Sequence, residues 1–172
     1  LPDLLKFAEE HRLRIGTIAD LIHYRSRTEK LVRRVAERPM ATPYGRFQLI
    51  VYHDTTANVS HLALVKGDIR PGEEILVRVH EPLSVLDFLD AEDKTHSWSL
   101  HDALKEMTKA ERGVVVLLHR CETATDLINR VKSVPEDPVA KARADLRNYG
   151  IGAQILKDLN VTRMRLLAFP RK

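Results

Sequence analysis

Apolar residues near the start of the chain recur at helical spacing. Leu4, Leu5, Phe7 and Ala8 make one face of a short helix over residues 3–12, with Asp3 placed to cap it after Pro2. Arg14-Ile15-Gly16 is a brief extended piece. Thr17 followed by Asp20 has the form of a capping box and opens a second helix, whose apolar side is Leu21, Ile22 and Tyr24. Residues 25–34 are charged and carry no apolar period, so they read as a linker into a strand. Thr42-Pro43-Tyr44-Gly45 is a turn, and after it the period becomes two. Phe47, Leu49 and Val51 share a face, His61 to Val65 is a compact buried run, and Ile75 to His80 is another strand. Lys66-Gly67-Asp68 and Arg70-Pro71-Gly72-Glu73 are turns. Connections this short predict an antiparallel sheet of three or more strands.

The second half alternates differently. Ser97 to Ala110 is helical, with Leu100, Ala103, Leu104 and Met107 on one face. Val114 to Leu118 is an apolar, largely β-branched strand. Thr123 to Lys132 and Val139 to Leu146 read as helices, a further helix runs from about Gly150 to Leu159, and Arg163 to Leu167 is a last strand. Strands interleaved with helices predict an α/β (α+β) class, a mixed sheet with flanking helices. There is no internal repeat and no low-complexity tract.

Composition narrows the function. The chain has 172 residues, 44% hydrophobic and 30% charged, which suits an ordinary globular domain. No apolar run approaches the roughly 20 residues of a membrane span, so no membrane partner is expected. The net charge is +4, from 28 basic and 24 acidic residues with the signs interspersed. Aromatics are 5%, and the densest basic cluster, Lys30, Arg33, Arg34 and Arg38, includes Glu29 and Glu37. That is a solvated face, not a nucleic-acid stripe with stacking platforms. One cysteine, Cys121, excludes an internal disulfide and fits a reducing cytoplasm. A start at Leu1 without methionine or signal peptide reads as a piece of a longer protein.

Two segments resemble a bifunctional riboflavin-biosynthesis enzyme. Leu1-Pro2-Asp3-Leu4, Phe7-Ala8, His11, Ile15 to Ile22 and Tyr24-Arg25 look like the tail of a 3,4-dihydroxy-2-butanone 4-phosphate synthase. From Thr42-Pro43-Tyr44-Gly45 onward the chain resembles GTP cyclohydrolase II. The closest stretches are His61 to Asp68, Val77-Arg78-Val79-His80, Tyr149 to Leu156 and Arg165-Leu166-Leu167. The resemblance implies residues 1–35 as synthase tail and linker, and residues 36–172 as a GTP cyclohydrolase II-like domain. It also implies an attached synthase domain and a homodimer. The acids, metal ligands and phosphate contacts of a synthase would all lie upstream of Leu1.

The family opens the imidazole ring of GTP with water activated on a zinc ion held by three cysteine thiolates. They come from a segment like His-Ser-Glu-Cys followed by Arg-Cys-Asp-Cys-Gly. Thiolates suit zinc because they are soft and anionic, with bonds of about 2.3 Å, and the metal lowers the pKa of bound water to roughly 7. Reading forward from His80 without gaps, those positions fall on Leu83, Lys94 and His96. Leucine cannot ligate, protonated lysine repels a dication, and one imidazole is not a site. The downstream register holds at Leu100 and Ala103-Leu104. His53, His61, His80 and His119 are scattered on or near strands, and His101 is badly spaced from His96. No metal site is expected here, and no cofactor in this chain; an attached synthase would use magnesium.

Other family contacts survive only in part. Where the family has Gln-Glu-Gly-Arg, this chain has Cys121-Glu122-Thr123-Ala124: the acid stays and the phosphate-binding guanidinium is lost. The closing basic pair, Arg171 and Lys172, remains. By resemblance, Asp145 would accept a proton and Arg147 would act as nucleophile toward the α-phosphate. The same two residues also read as a structural ion pair. Cys121, after His119-Arg120, reads as a small core hydrophobe before it reads as a reactive thiolate, and Trp98 as packing that fills the space of a metal loop. The leading expectation is a degenerate cyclohydrolase-like domain, structural or regulatory for an attached synthase. The alternatives are a zinc-independent nucleotide hydrolase releasing pyrophosphate from GTP through Asp145 and Arg147, and a module binding a small phosphorylated ligand or flavin through Arg147, Arg171 and Lys172, with Glu122, Arg171 and Lys172 as the nucleotide or phosphate contacts.

Overall fold

The structure is a computed structural model and describes residues 2–82, 84–88, 98–119, 122–132 and 150–168. The chain divides into two compact units, Leu1–Lys30 and Leu31–Lys172.

The first unit is two helices. Helix α1 spans Pro2–Glu10. Pro2 is already helical, so Asp3 is not the cap expected from sequence; it lies in the first turn, where its charge still complements the helix dipole. The helix closes on Arg12, left-handed at φ 51°. There Leu13 N donates to Ala8 O at 2.8 Å and Arg12 N to Glu9 O at 3.2 Å, the paired bonds of a Schellman end. Helix α2 spans Ile18–Thr28. Its capping box is present: Asp20 N donates to Thr17 Oγ1 and Thr17 N to Asp20 Oδ2, both at 3.0 Å. Of residues 25–34, expected to be a linker, 25–28 end this helix and 32–34 begin the first strand, which leaves only 29–31 as the connection. Arg, Ser and Thr carry no apolar period, yet Arg25 and Glu29 pair one turn apart at 2.8 Å. The apolar face predicted for α1 exists but is uncovered within the unit: Ala8 is buried, while Leu4, Leu5 and Phe7 are each more than half exposed.

The second unit is a six-stranded mixed sheet with helices on both faces. Its strands are β1 (Val32–Thr42), β2 (Gly45–Asp54), β3 (Val59–Lys66), β4 (Glu74–His80), β5 (Gly113–Leu117) and β6 (Arg163–Leu166). The order is β1-β2-β3-β5-β4-β6. Strands β1, β2, β3 and β5 run antiparallel in sequence, and β4 is parallel to both β5 and β6. The antiparallel expectation holds for β1 to β3 and fails for β4. The short connection after β3 does not make β4 its neighbour, because β5 enters between them, and strands joined through a helix pair in parallel.

The first tight connection follows its residues closely. Tyr44 N donates to Thr42 Oγ1 at 3.1 Å, and Thr42 Oγ1 donates to Gly45 O at 2.9 Å. Gly67, after β3, is left-handed at φ 71°, and a Cβ there would sit 2.6 Å from Glu111 O. Only glycine serves at that position.

Each face of the sheet buries its own cluster. On one face Ile50, Tyr52, Ala63, Val77, Val114 and Val116 pack under helix α5, residues 150–158, through Ile151 and Ile155. On the other, Phe47, Leu64, Leu76 and Val115 pack under helix α3, Leu100–Lys109, through Ala103, Leu104 and Met107. Strand β2 is thus covered on both sides, which an alternating reading of Phe47, Leu49 and Val51 did not show. Helix α3 is capped by Ser99. At its other end Lys66 Nζ donates to Met107 O at 2.9 Å and Thr108 O at 3.0 Å, a cation on the negative end of the dipole. Helix α4, Ala124–Val131, opens on Thr123 with a second capping box, to Asp126. The helix expected over Val139 to Leu146 lies outside the described residues.

Tyr52 is fully buried and donates to Asp158 Oδ2 at 2.8 Å, at the last turn of α5. Burial first, then this bond, push its phenol above the ordinary value of 10.0. A folded pKa above the unfolded one gives stability that is complete below pH 10.0 and is lost as pH rises beyond it. Tyr52→Phe should cost about 1 kcal/mol at neutral pH and flatten that alkaline loss. Urea titrations at neutral pH and near pH 11 would show it; an unchanged alkaline slope would assign the loss to other groups.

Candidate functional site

In open α/β sheets, ligand sites gather where the carboxyl ends of parallel strands release their loops. Here that edge carries His80 at the end of β4 and Pro82 after it, Leu118 and His119 after β5, and Leu167 after β6. Because β3 is antiparallel to β5, its start lies at the same edge, with His61 and Ser60; the end of β2, with His53 and Asp54, adjoins it. The four histidines that look scattered in sequence therefore share one edge. They do not converge, because strand alternation puts His61 on the α5 side and His53 and His80 on the α3 side.

Arg78 is the dominant charge on the α3 side. It is only 7% exposed, and burial lowers the pKa of its guanidinium. Its Nη1 donates to Leu167 O at 3.0 Å and its Nη2 to Trp98 O at 3.0 Å. Nη2 also lies 3.4 Å from His80 Nδ1. A guanidinium only donates, so Nδ1 offers a lone pair and the proton of a neutral His80 sits on Nε2. His61 follows the same rule on the opposite face. Its Nδ1 accepts from His119 N at 3.1 Å, and its Nε2 is 4.0 Å from Asp54 Oδ2. Asp54 Oδ1 accepts from Thr56 N and Oγ1, both at 2.7 Å, and from Ala57 N at 3.1 Å. The Asp54–His61 pair thereby ties the β2–β3 turn to the end of β5.

Glu122 stands just ahead of α4. Its Oε2 accepts from Val85 N at 3.2 Å, at the start of a 3-10 turn, Val85–Phe88. Its Oε1 is buried and has no hydrogen-bond partner among the described residues. Of the residues that the sequence offers as catalytic or ligand-binding, Glu122 alone is described. Asp145, Arg147, Arg171 and Lys172 lie outside the described residues, as do Leu83, Lys94, His96 and Cys121. Trp98 is half-buried and packs at the margin of the α3-side cluster. Among the described residues, no three His, Cys, Asp or Glu side chains gather as metal ligands.

The family model for GTP cyclohydrolase II matches residues 33–172. The chain belongs to the GTP cyclohydrolase II family. It is 52% identical over 170 residues to a 3,4-dihydroxy-2-butanone 4-phosphate synthase of Neisseria meningitidis serogroup B, covering 99% of this chain and 46% of that one. It is 37% identical over 177 residues to the riboflavin biosynthesis protein RibBA of Phocaeicola vulgatus, covering 97% of this chain and 44% of that one. A solved structure, RibBX, a two-domain 3,4-dihydroxy-2-butanone 4-phosphate synthase from A. baumannii, is similar with a TM-score of 0.69 and 36% identity. It covers 99% of this chain and 44% of that one. The chain therefore spans less than half the length of the curated relatives it matches.

Sequence reasoning overlooked two features of this GTP cyclohydrolase II family member: Arg78 as a structural clamp and the Asp54–His61 pair. The first had a signal. A single guanidinium inside Ile-Leu-Val-Arg-Val-His interrupts an otherwise apolar strand, and a charge buried there must find acceptors. The second had none, because Asp54 and His61 are joined only by strand register.

Proposed function

We propose that this chain is a retired cyclohydrolase fold in riboflavin biosynthesis, attached in its parent protein to a 3,4-dihydroxy-2-butanone 4-phosphate synthase that it stabilises or regulates. The observation that carries this reading is the cysteine count. The family's zinc needs three thiolates, and the chain has one cysteine, Cys121, outside the metal segment. Leu83, Lys94 and His96 are a donor set that does not fit zinc, so no ring-opening step is assigned. The first unit supports an attached half. Leu4, Leu5, Phe7, Leu13, Ile15 and Ile18 are all more than half exposed on thirty residues, an apolar surface that a neighbouring domain would cover. Magnesium would belong to the attached synthase. The reducing cytoplasm suits a lone thiol, and a homodimer is the expected assembly, read by light scattering.

Protein purified with added zinc should hold none in stoichiometric amount. Incubated with GTP and magnesium it should yield neither formate nor pyrophosphate. Stoichiometric zinc together with formate would sink the proposal. Pyrophosphate without formate would favour the second reading, in which Asp145 and Arg147 still act on a nucleotide. A GTP-induced thermal shift that disappears in Arg147→Ala, with no product, would favour a phospho-ligand module instead.

A further inference from the structure

The start of the second unit is fastened to α5 more firmly than a connecting segment requires. Leu31 N donates to Gln154 Oε1 at 2.8 Å. Leu31 O accepts from Thr55 N at 3.0 Å and from Thr55 Oγ1 at 3.2 Å. Both backbone groups of one residue are thus held by side chains or turns far away in sequence. Val32 follows at 2% exposure inside the α5-side core. Two residues later Arg34 Nη2 donates to Asp158 Oδ2 at 3.2 Å, the same oxygen that takes the Tyr52 hydroxyl.

Gln154 and Asp158 are four residues apart, so they project from one face of α5, one turn from each other. Together they hold residues 31–34 at two points along the helix. An acid at a helix C-terminus opposes the dipole, so Asp158 is held there by its contacts with Arg34 and Tyr52 and not by helix preference. Helix α5 also carries most of the stretch Tyr149 to Leu156 that resembles the nucleotide-acting family. The residues joining the two units are therefore attached to the helix that carries that motif.

We propose that residues 31–34 form a coupling strap, through which the state of α5 is transmitted to residues 2–30 and to the attached synthase half. The strap rests on the reading that such a half is attached. Gln154 is a positioning residue in this account, acting through the bond its Oε1 accepts from Leu31 N.

The test uses the full-length parent protein, with amide exchange and the rate of 3,4-dihydroxy-2-butanone 4-phosphate formation measured on each variant. Gln154→Leu keeps the bulk and removes the acceptor. It should lower protection at Leu31 about tenfold, raise exchange across residues 2–30, and change kcat/KM of the synthase by about threefold. Lys66→Met, which releases the far end of α3, should do none of these. Loosening confined to residues 31–34 and 55, with residues 2–30 and the synthase rate unmoved, overturns the strap. So does a Lys66→Met variant that reproduces the Gln154→Leu result, since the effect is then general loss of stability. If Gln154→Leu does not fold, Arg34→Met removes the strap's second bond to α5, at Asp158, and carries the same comparison. A wild-type parent that forms no product sinks the attached-synthase reading, and the exchange data alone then decide the strap.

Discussion

Gly113→Val should destabilise the chain by about 3 kcal/mol and lower its melting temperature by roughly 10 °C. Gly113 begins β5 between Lys66 of β3 and Leu76 of β4, in the middle of the sheet. A Cβ built there would overlap Met107 Sδ and lie 3.3 Å from Leu76 O. The first contact is with a flexible side chain, which ordinarily yields. Met107, however, is fully buried on the sheet-facing side of α3, with Ala103 and Leu104 beside it. In a core packed like an organic crystal a fully buried side chain has little room to swing, and the second contact is backbone. The strain must therefore move α3 or open the β4–β5 ladder. Gly113→Ala should cost about half as much. Met107→Ala alone should cost about 3 kcal/mol through the cavity it leaves. In the double variant the valine occupies part of that cavity, so the combined loss falls short of the sum. Urea unfolding of the four proteins measures this, and strict additivity would show that the two sites do not share space.

Local chemistry made the elements legible and left their neighbours hidden. The capping box at Thr17, the turn at Thr42 and the glycine at Gly67 are short-range signals, and each is realised as read; the box at Thr123 has the same short-range form, although only its helix was expected. The position of β4 is not local. Ile75 to His80 announces a strand, but its partners are chosen by β5, which arrives more than thirty residues later and displaces it from β3. The same holds for the polar edge. His61 and His80 are both plain strand residues in sequence, and only register shows that they share an edge while facing opposite layers. Glu122 is a ligand contact by resemblance. Its bond to Val85 N places it at the start of the 3-10 turn, a contact across 37 residues that no spacing rule would find. The family, by contrast, was legible because its motifs are contiguous: Tyr149 to Leu156 and His61 to Asp68 need no fold to be recognised.

Arg78→Met should cost about 2–3 kcal/mol, although it removes a charge that burial disfavours. Two effects compete. Taking the guanidinium away recovers its desolvation penalty, the cause of its lowered pKa. It also strips donors from Leu167 O, at the end of β6, and Trp98 O, just ahead of the Ser99 cap of α3. A buried acceptor left without a partner costs about 1–3 kcal/mol, the full penalty falling on Leu167 O and a smaller one on the part-buried Trp98 O, and methionine has no hydrogen to offer either. The acceptors outweigh the recovered penalty because both lie at element ends. There they fix β6 against β4 and hold α3 at its first turn. Arg78→Lys should fall between the two, since one ammonium on a flexible stem cannot span two carbonyls as a planar fork does. The loss should appear chiefly as faster amide exchange at Leu167 and in the first turn of α3, with α5 unaffected. A methionine variant within 1 kcal/mol of the parent would mean that the carbonyls find water or each other, and that Arg78 contributes to the site without holding its frame.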